Sequence, residues 1–253
     1  MTIEPSWRVG LALAILLCLG LLVHRRAHTG LARDALVASL RAIAQLSFAA
    51  LVIAVALEYL WSSLLVIAVM FAMAAVTTTR RIGVPLGSAG WSAFALGCGL
   101  LPVLAVLLIS GAVPLKGIAL IPVTGILLGN TMTAHTLFGR RAFAALTEER
   151  GAYEAMLALG MPPDAAVTEV IHRYLPEGLV AGLDQIRTAG VVTLPGAFIG
   201  VMLGGGSPVQ AATAQVLVLL GLQLAQSVAV VAQARLIASR RVLTARLRAD
   251  LAT

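Results

Sequence analysis

The sequence predicts an all-α integral membrane protein of about seven transmembrane helices, with an amphipathic cytoplasmic segment between helices five and six. Of its 253 residues, 60% are apolar and only 11% are Asp, Glu, Lys or Arg. The mean hydropathy is +0.98, whereas a soluble domain carries about 25% charged residues. Because so few charges cannot cover a soluble surface, this composition excludes a water-soluble enzyme, a nucleic-acid-binding module and a disordered chain.

Seven apolar stretches approach the roughly 20 residues that a helix needs to cross a bilayer. The first is short and the sixth contains charged residues. We interpret residues 1–253 as a single polytopic domain. The predicted spans are 8–23, 36–57, 60–78, 89–110, 118–138, 178–203 and 209–233.

The basic residues predict the orientation of these spans. Seventeen of the 18 are Arg, and 14 of the 18 fall in loops on one side of the predicted bundle. Basic loops stay on the cytoplasmic side. We therefore expect a multi-pass protein of the cell (inner) membrane, with its N-terminus outside and its C-terminus in the cytoplasm. In this interpretation the high net charge of +7 reflects loop orientation and not binding to nucleic acid.

Residues 139–177 form the largest polar stretch and are too charged to cross a membrane. Their pattern predicts two short amphipathic helices. The first covers about 140–159 and ends at Gly160, since glycine commonly stops a helix. Pro162 and Pro163 then interrupt the chain, and Asp164 is placed to cap the second helix.

The sequence lacks the residues that several kinds of catalytic site require. A phosphate-binding P-loop needs a glycine-rich turn with a lysine, and the single Lys116 lies in a predicted external loop. The chain is therefore not expected to hydrolyse ATP by itself. Its four histidines are not clustered, so we predict no metal site in this chain. We interpret Cys18 and Cys98, both inside apolar runs, as packing residues.

Motifs along the chain resemble the FetB-like permeases, the membrane subunits of an iron-export ABC transporter, to which plant aluminium-tolerance permeases are similar. The resemblance covers roughly residues 36–230, and the order of the motifs is more specific than any one of them. The motifs are Arg41–Leu46, the Ile-Pro-Val-Thr-Gly stretch from Ile121 to Ala134, Glu154-Ala155-Met156 followed by Gly160, Leu175-Pro176, and Leu194-Pro195-Gly196.

The resemblance implies a permease that couples to a separate cytoplasmic ABC ATP-binding subunit, which binds ATP and Mg. The expected cargo is a metal ion such as iron, moved out of the cytoplasm. We expect a homodimer, because one coupling segment per chain matches one ATPase and these ATPases work in pairs. The residues assigned to coupling are Arg150, Glu154, Ala155 and Gly160.

The sequence departs from the family pattern after Leu194-Pro195-Gly196. Members usually carry Met-Met there and a Gln after the next Gly, but this chain has Ala197-Phe198 and Val201. Asp184 stands where the family has Asn. If those family residues touch the cargo, this chain moves a different one.

Polar side chains within membrane helices usually face the bundle interior. As candidates for a substrate path we select Gln45, Asn130, Met132, His135 and Gln215, while Gln223 and Gln226 extend one face of the last span. Interhelical hydrogen bonding is the alternative role for the glutamines. We expect Asp184 and Arg187 to form an ion pair.

Pro195, Gly196 and Gly200 form a candidate hinge in the sixth span. Two other functions stay open. An ion-coupled secondary transporter usually shows inverted repeats and broken helices, and no duplicated half is visible here. A non-transporting membrane scaffold has no need for polar faces on spans five and seven.

Overall fold

The computed structural model describes residues 6–56 and 59–250. In this part of the chain it contains eleven α-helices, one 3-10 turn at Leu86–Ser88 and no strand. The helices are α1 Trp7–Arg26, α2 Ala32–Ala56, α3 Leu60–Ile82, α4 Ala89–Ile109, α5 Gly117–Glu148, α6 Arg150–Ala158, α7 Pro163–His172, α8 Leu175–Thr188, α9 Gly196–Leu203, α10 Pro208–Ala238 and α11 Ala245–Asp250.

Six of these helices are long and apolar enough to cross a membrane, namely α1, α2, α3, α4, α5 and α10. The predicted all-α membrane fold is confirmed. The fifth and seventh spans are longer than predicted, because α5 continues to Glu148 and α10 to Ala238. Residue 57, the predicted end of the second span, lies outside the described residues.

The helices group into two compact units, one with α1 and α2 and one with α3–α11. In the first unit α1 and α2 form a hairpin. Ser6 caps α1 by accepting a hydrogen bond from Val9 N. The turn between the helices places His28 and Gly30 at positive φ, and Thr29 Oγ1 lies 3.0 Å from His24 Nδ1.

Helix α10 is the centre of the second unit, where it packs against α4, α5, α7, α8 and α9. Its start is fixed by a capping box. Ser207 Oγ accepts from Gln210 N, Gln210 Oε1 accepts from Ser207 N, and Pro208 occupies the first helical position. These contacts satisfy backbone donors that the first turn leaves free.

Two apolar cores lie along this unit. One contains Leu96, Leu127 and Leu222 and joins the middle of α3, α4, α5 and α10. The other lies at the end that carries Arg80, Arg81, Arg140 and Arg141, which we call the basic end. There Phe138 and Ile237, from α5 and α10, pack with residues of the predicted cytoplasmic segment, namely Tyr153, Val167, Val170 and Ile171.

The predicted sixth span is not one helix. The structure divides residues 178–203 into α8 and α9, separated by a non-helical stretch at residues 189–195. Gly182 of α8 lies against Gln226, and Phe198 of α9 donates its N–H to Gln215 Oε1 at 3.2 Å. Gln215 and Gln226 are eleven positions apart on α10, about 16 Å, so the break lies beside the middle of that helix.

The break has a physical origin in its sequence. Gly190 adopts φ +82, and Pro195 takes the N-cap position of α9. Thr188 O accepts hydrogen bonds from the N–H groups of Val192 and Thr193. The carbonyl groups of Val191 and Val192 accept no hydrogen bond within the described part of the chain. In hydrocarbon, irregular backbone occurs only where protein or water covers it.

The segment predicted to be cytoplasmic also differs from its prediction. The expected helix over 140–159 is divided, since residues 140–148 continue α5 and only Arg150–Ala158 form a separate helix. Asp164 is not a cap, because Pro162 holds that position and Asp164 lies in the first turn of α7. An acidic residue in the first turn still interacts favourably with the helix dipole.

Candidate functional site

The α6–α7 element is anchored to the basic end by one face. Tyr153 is only 3% exposed, and Met156 and Leu157 pack against the same core. Tyr153 Oη also accepts a hydrogen bond from Arg240 Nη2 at 2.9 Å. Helix α6 is therefore attached to the segment that follows α10.

The exposed face of α6, with the turn that follows it, carries the four residues predicted to couple to an ATPase. Arg150 Nε donates to Glu154 Oε1 at 2.7 Å, a contact that raises the pKa of Arg150 above its ordinary value. Ala155 is exposed on this face. Gly160 follows the helix at φ +85, a left-handed conformation that glycine adopts without strain. The predicted helix end at Gly160 is confirmed.

Beside these residues Leu159 is 88% exposed, the most exposed position of the α6–α7 element among the large apolar side chains. Sequence reasoning did not select it, although its place before Gly160 was visible. An exposed leucine next to Ala155 and Ala158 makes a small apolar knob, flanked by the Arg150–Glu154 pair. This arrangement fits insertion into a groove of another protein.

Charged and aromatic contacts hold the junction of α5 and α6 in place. Tyr174 Oη donates to Glu149 Oε1 at 2.6 Å, and Arg173 also pairs with Glu149. Arg141 contacts both Glu148 and Glu177, and its guanidinium lies 4.1 Å from the centre of the Tyr174 ring. These contacts connect the end of α5 with the starts of α6 and α8.

Asn130 lies where α5, α8 and α10 meet. Its side chain donates to Ile126 O of its own helix at 2.9 Å, while its backbone carbonyl accepts from Gln226 Nε2 at 3.2 Å. Gly182 allows this contact, because a Cβ at that position would overlap the Gln226 amide. Gln226 is thus an interhelical hydrogen-bonding residue.

His135 is the most deeply buried of the predicted path residues, with 1% of its surface exposed. Its Nδ1 lies 3.2 Å from Thr78 Oγ1, and Thr78 Oγ1 lies 2.9 Å from Thr136 Oγ1. His135 Nε2 is buried without a hydrogen-bond partner. A buried polar atom left unpaired costs free energy, so this nitrogen is a candidate contact for water or cargo.

Other unpaired buried atoms lie on the helices around His135. Gln233 has no partner for either side-chain polar atom, and Ser92 Oγ and Thr124 Oγ1 are also unpaired among the described residues. Gln233 rests on Gly139, one helical turn beyond His135. Sequence reasoning missed Gln233, since the predicted seventh span ended there.

The candidate hinge residues surround the start of α9. Pro195 is its N-cap, and Gly196 and Gly200 are exposed with open space where a Cβ would be. Gln215 is buried and bound to Phe198 N. Within the described residues nothing packs closely on Gly196 or Gly200, so their face is open to another chain.

The remaining predicted residues differ in their surroundings. Gln45 is exposed on α2, in the first unit, and Gln223 is exposed on α10, unlike Gln215 and Gln226. Met132 packs at the edge of the middle core. The predicted ion pair of Asp184 and Arg187 is confirmed, at 3.1 Å. No group of three or more His, Cys, Asp or Glu is arranged for a metal ion in residues 6–56 and 59–250.

Comparison with known proteins places this arrangement among membrane proteins. A model of the uncharacterised protein family UPF0014 matches residues 7–242. A UPF0014 membrane protein of Synechocystis, slr1647, is 31% identical over 186 residues, 72% of either chain. No solved structure matches the chain.

Two further relatives have names that describe a role. The probable iron export permease protein FetB of Escherichia coli is 29% identical over 217 residues, 82% of either chain. Protein ALUMINUM SENSITIVE 3 of Arabidopsis thaliana is 34% identical over 100 residues, 40% of this chain and 37% of that protein. The likeness to FetB therefore extends over the bundle and the α6–α7 element alike.

Proposed function

Because the chain belongs to the UPF0014 family of membrane proteins, we propose that it is the permease subunit of an ATP-driven exporter. In this proposal a separate cytoplasmic ATPase binds ATP and Mg and docks on the α6–α7 element. The cargo is a metal ion such as iron, as the name of the FetB relative suggests. The basic end then faces the cytoplasm, in agreement with the positive-inside bias.

The observation that carries the proposal is that α6 has one buried face and one exposed face. One face is fixed to α5 and α10 through Tyr153 and the core of the basic end. The other presents Leu159, Ala155 and the Arg150–Glu154 pair to solvent. A partner that moves this outer face also moves the two longest membrane helices, which is what coupling requires.

We place the cargo path beside α5, α8 and α10. The unpaired polar atoms of His135 and Gln233 support a wet or ligand-lined interior near the basic end. Farther from the basic end, beside the middle of α10, the break between α8 and α9 presents backbone carbonyls. Unwound backbone carbonyls in membrane transporters coordinate cations, which agrees with a metal cargo.

A second copy of the chain completes the path in this proposal. Val191 is 88% exposed in the break, although irregular backbone cannot face lipid. The open face of Gly196 and Gly200 adjoins the break and suits close approach of another helix. A homodimer in which the two breaks face each other would cover both features.

The test of the proposal is purification of the full-length chain from its native membranes. We expect a soluble P-loop ATPase to copurify with it, and Leu159→Glu to abolish that association. The side chain of Leu159 is almost fully exposed, so its replacement should leave folding unchanged. Leu115→Glu, in the exposed loop before α5, is the matched control and should retain the ATPase.

Transport is then measured as uptake into vesicles that contain the chain and the copurified ATPase, with ATP and ferrous, manganous or cobaltous ions added outside. ATP-dependent movement of one ion in the wild type, lost in Leu159→Glu, supports the proposal. Absence of any ATPase from the wild-type preparation would contradict the proposal. Equal transport by the wild type and by Leu159→Glu would also contradict it.

One observation favours an ion-coupled secondary transporter as the second candidate function. The broken α8–α9 crossing at mid-depth is a feature of such transporters. This alternative predicts metal movement in vesicles that contain the chain alone, driven by a proton or sodium gradient. The same vesicles with ATP and the ATPase would then show no further acceleration.

A further inference from the structure

A groove of about 730 Å³ runs between α4 and α10 at the basic end. Helices α4 and α10 pack closely deeper in the bundle, where Gly99 lies against Ala225 and Ala229. Toward the basic end they separate enough to leave the groove. The side chains that define it are Phe94, Cys98, Val228, Val231, Arg235 and Arg241.

The end of the groove is positively charged. Arg235 lies in the last turn of α10, and Arg241 follows that helix. Both are exposed, and neither has an ion-pair partner among the described residues. The Arg241 guanidinium lies 4.5 Å from the centre of the Trp91 ring, which holds it at the groove.

The rest of the groove is mostly apolar, and Ser227 and Ser239 are the hydroxyl side chains in its lining. From Arg235 it follows Val231 and Val228 along α10, with Phe94 and Cys98 opposite on α4. Val228 and Arg235 are seven positions apart, about 10 Å of helix. A soluble anion such as phosphate needs no such lining, whereas an acyl chain joined to a charged headgroup does. Trp91 also suits the level of lipid headgroups, where tryptophan concentrates.

We propose that this groove binds an anionic phospholipid. The headgroup phosphate contacts Arg235 and Arg241, and one acyl chain lies along Val231, Val228 and Phe94. Basic pockets between helices on the cytoplasmic side are a known form of lipid recognition. The inference needs only a membrane protein with this groove, so it stands or falls separately from ATP coupling and metal export.

The experiment measures lipid binding to the full-length protein in detergent. Phosphatidylglycerol and phosphatidylcholine are added at equal concentration, and bound lipid is counted by native mass spectrometry. The double variant Arg235→Gln with Arg241→Gln tests the headgroup contact. The matched control is Arg246→Gln with Arg248→Gln, which removes two exposed arginines of the same end outside the groove.

We expect the wild type and the control to prefer phosphatidylglycerol. Each arginine near a headgroup contributes about fivefold in affinity, so the groove variant should bind it about 25-fold more weakly. Val231→Trp, which fills the apolar part and retains both arginines, should also reduce binding. Inorganic phosphate should not compete.

Three results would overturn the proposal. Equal loss in the two arginine variants would indicate binding by net charge alone. Competition by inorganic phosphate at the concentration of the lipid would identify a soluble anion as the ligand. Loss of self-association in Val231→Trp, with lipid binding unchanged, would assign the groove to a second copy of the chain.

Discussion

Arg240 donates a hydrogen bond to the hydroxyl of Tyr153 at 2.9 Å, across 87 positions of sequence. Tyr153 belongs to the short helix α6, and Arg240 follows the end of α10. This contact is a direct polar link between the proposed docking element and the central helix of the bundle. It suggests how a force applied to α6 reaches the membrane.

Tyr153→Phe should distinguish the contribution of this hydrogen bond to stability from the contribution of ring packing. The ring stays in place and only the hydroxyl is lost. We expect a loss of about 1 kcal/mol in stability, the usual net value of one hydrogen bond. Thermal unfolding of the purified protein measures it. A double-mutant cycle with Arg240→Gln should show that the two effects are not additive. Additive losses would mean that the hydrogen bond contributes nothing.

Gly182→Ala should destabilise the junction of α5, α8 and α10. The added methyl group overlaps the Gln226 amide, which then loses its hydrogen bond to the Asn130 carbonyl. We expect a loss of about 1–2 kcal/mol, since a buried amide left unpaired costs that much. Gly90→Ala in α4 is the control, because that glycine is exposed and open space surrounds it.

The clash at Gly182 also predicts a rescue. Adding Gln226→Ala to Gly182→Ala removes the overlapping amide, so the double variant should be more stable than Gly182→Ala alone. Guanidinium or thermal unfolding compares the three proteins. A double variant less stable than either single variant would show that the predicted overlap is absent.

His135→Leu tests whether the unpaired Nε2 serves transport. The substitution removes one polar contact to Thr78 and one unpaired polar atom, so we expect a stability change within about 1 kcal/mol. Metal transport in vesicles should nevertheless fall by tenfold or more, a change of about 1.4 kcal/mol. Full transport with unchanged metal selectivity would remove His135 from the path.

Cysteine cross-linking tests whether a second copy covers the break. With Cys18 and Cys98 replaced by Ser, Val192→Cys should form a cross-link between two chains in native membranes. Ile109→Cys, at the end of α4 and also largely exposed, should not. Suppose instead that Val192→Cys forms no cross-link but reacts with a membrane-impermeant thiol reagent. The break would then line a water-filled cavity within one chain.

Sequence reasoning reached most of the fold for a physical reason. A bilayer requires long apolar helices, so composition and run length locate the starts of α3, α4, α5 and α10 closely, although α5 and α10 continue beyond their predicted ends. The helix end at Gly160 was also predictable, because glycine accepts the left-handed turn that the structure contains there.

The break at 189–195 was not predictable from hydropathy, because its residues are as apolar as those of a continuous span. The sequence signals for it were Gly190 and Pro195. Packing of α8 and α9 on α10 determines that one helix ends before Gly190 and the next begins after Pro195. The α5–α6 boundary was missed for the opposite reason. Polar residues 140–148 remain helical, since Phe143 and Leu146 pack in the basic-end core.

The candidate site was predicted in part. The coupling residues are consecutive in sequence, so a motif locates them together. The polar contacts of Asn130 and His135 depend on helix rotation and on neighbours such as Thr78 and Gln226, which a single sequence does not specify. Gly178 and Gly182, four positions apart, were the available signal for close packing of α8.

The lengths of α5 and α10 have a consequence for how the two ends of the molecule are stabilised. With 32 and 31 residues, each helix is about 47 Å long, whereas the hydrocarbon layer is about 30 Å thick. We expect the surplus to project into water together with the core around Phe138 and Ile237. That region is therefore stabilised by the hydrophobic effect. The hydrophobic effect does not drive helix association in the middle of the bundle, where lipid surrounds the helices. Urea should consequently loosen the projecting region first and leave the embedded helices associated.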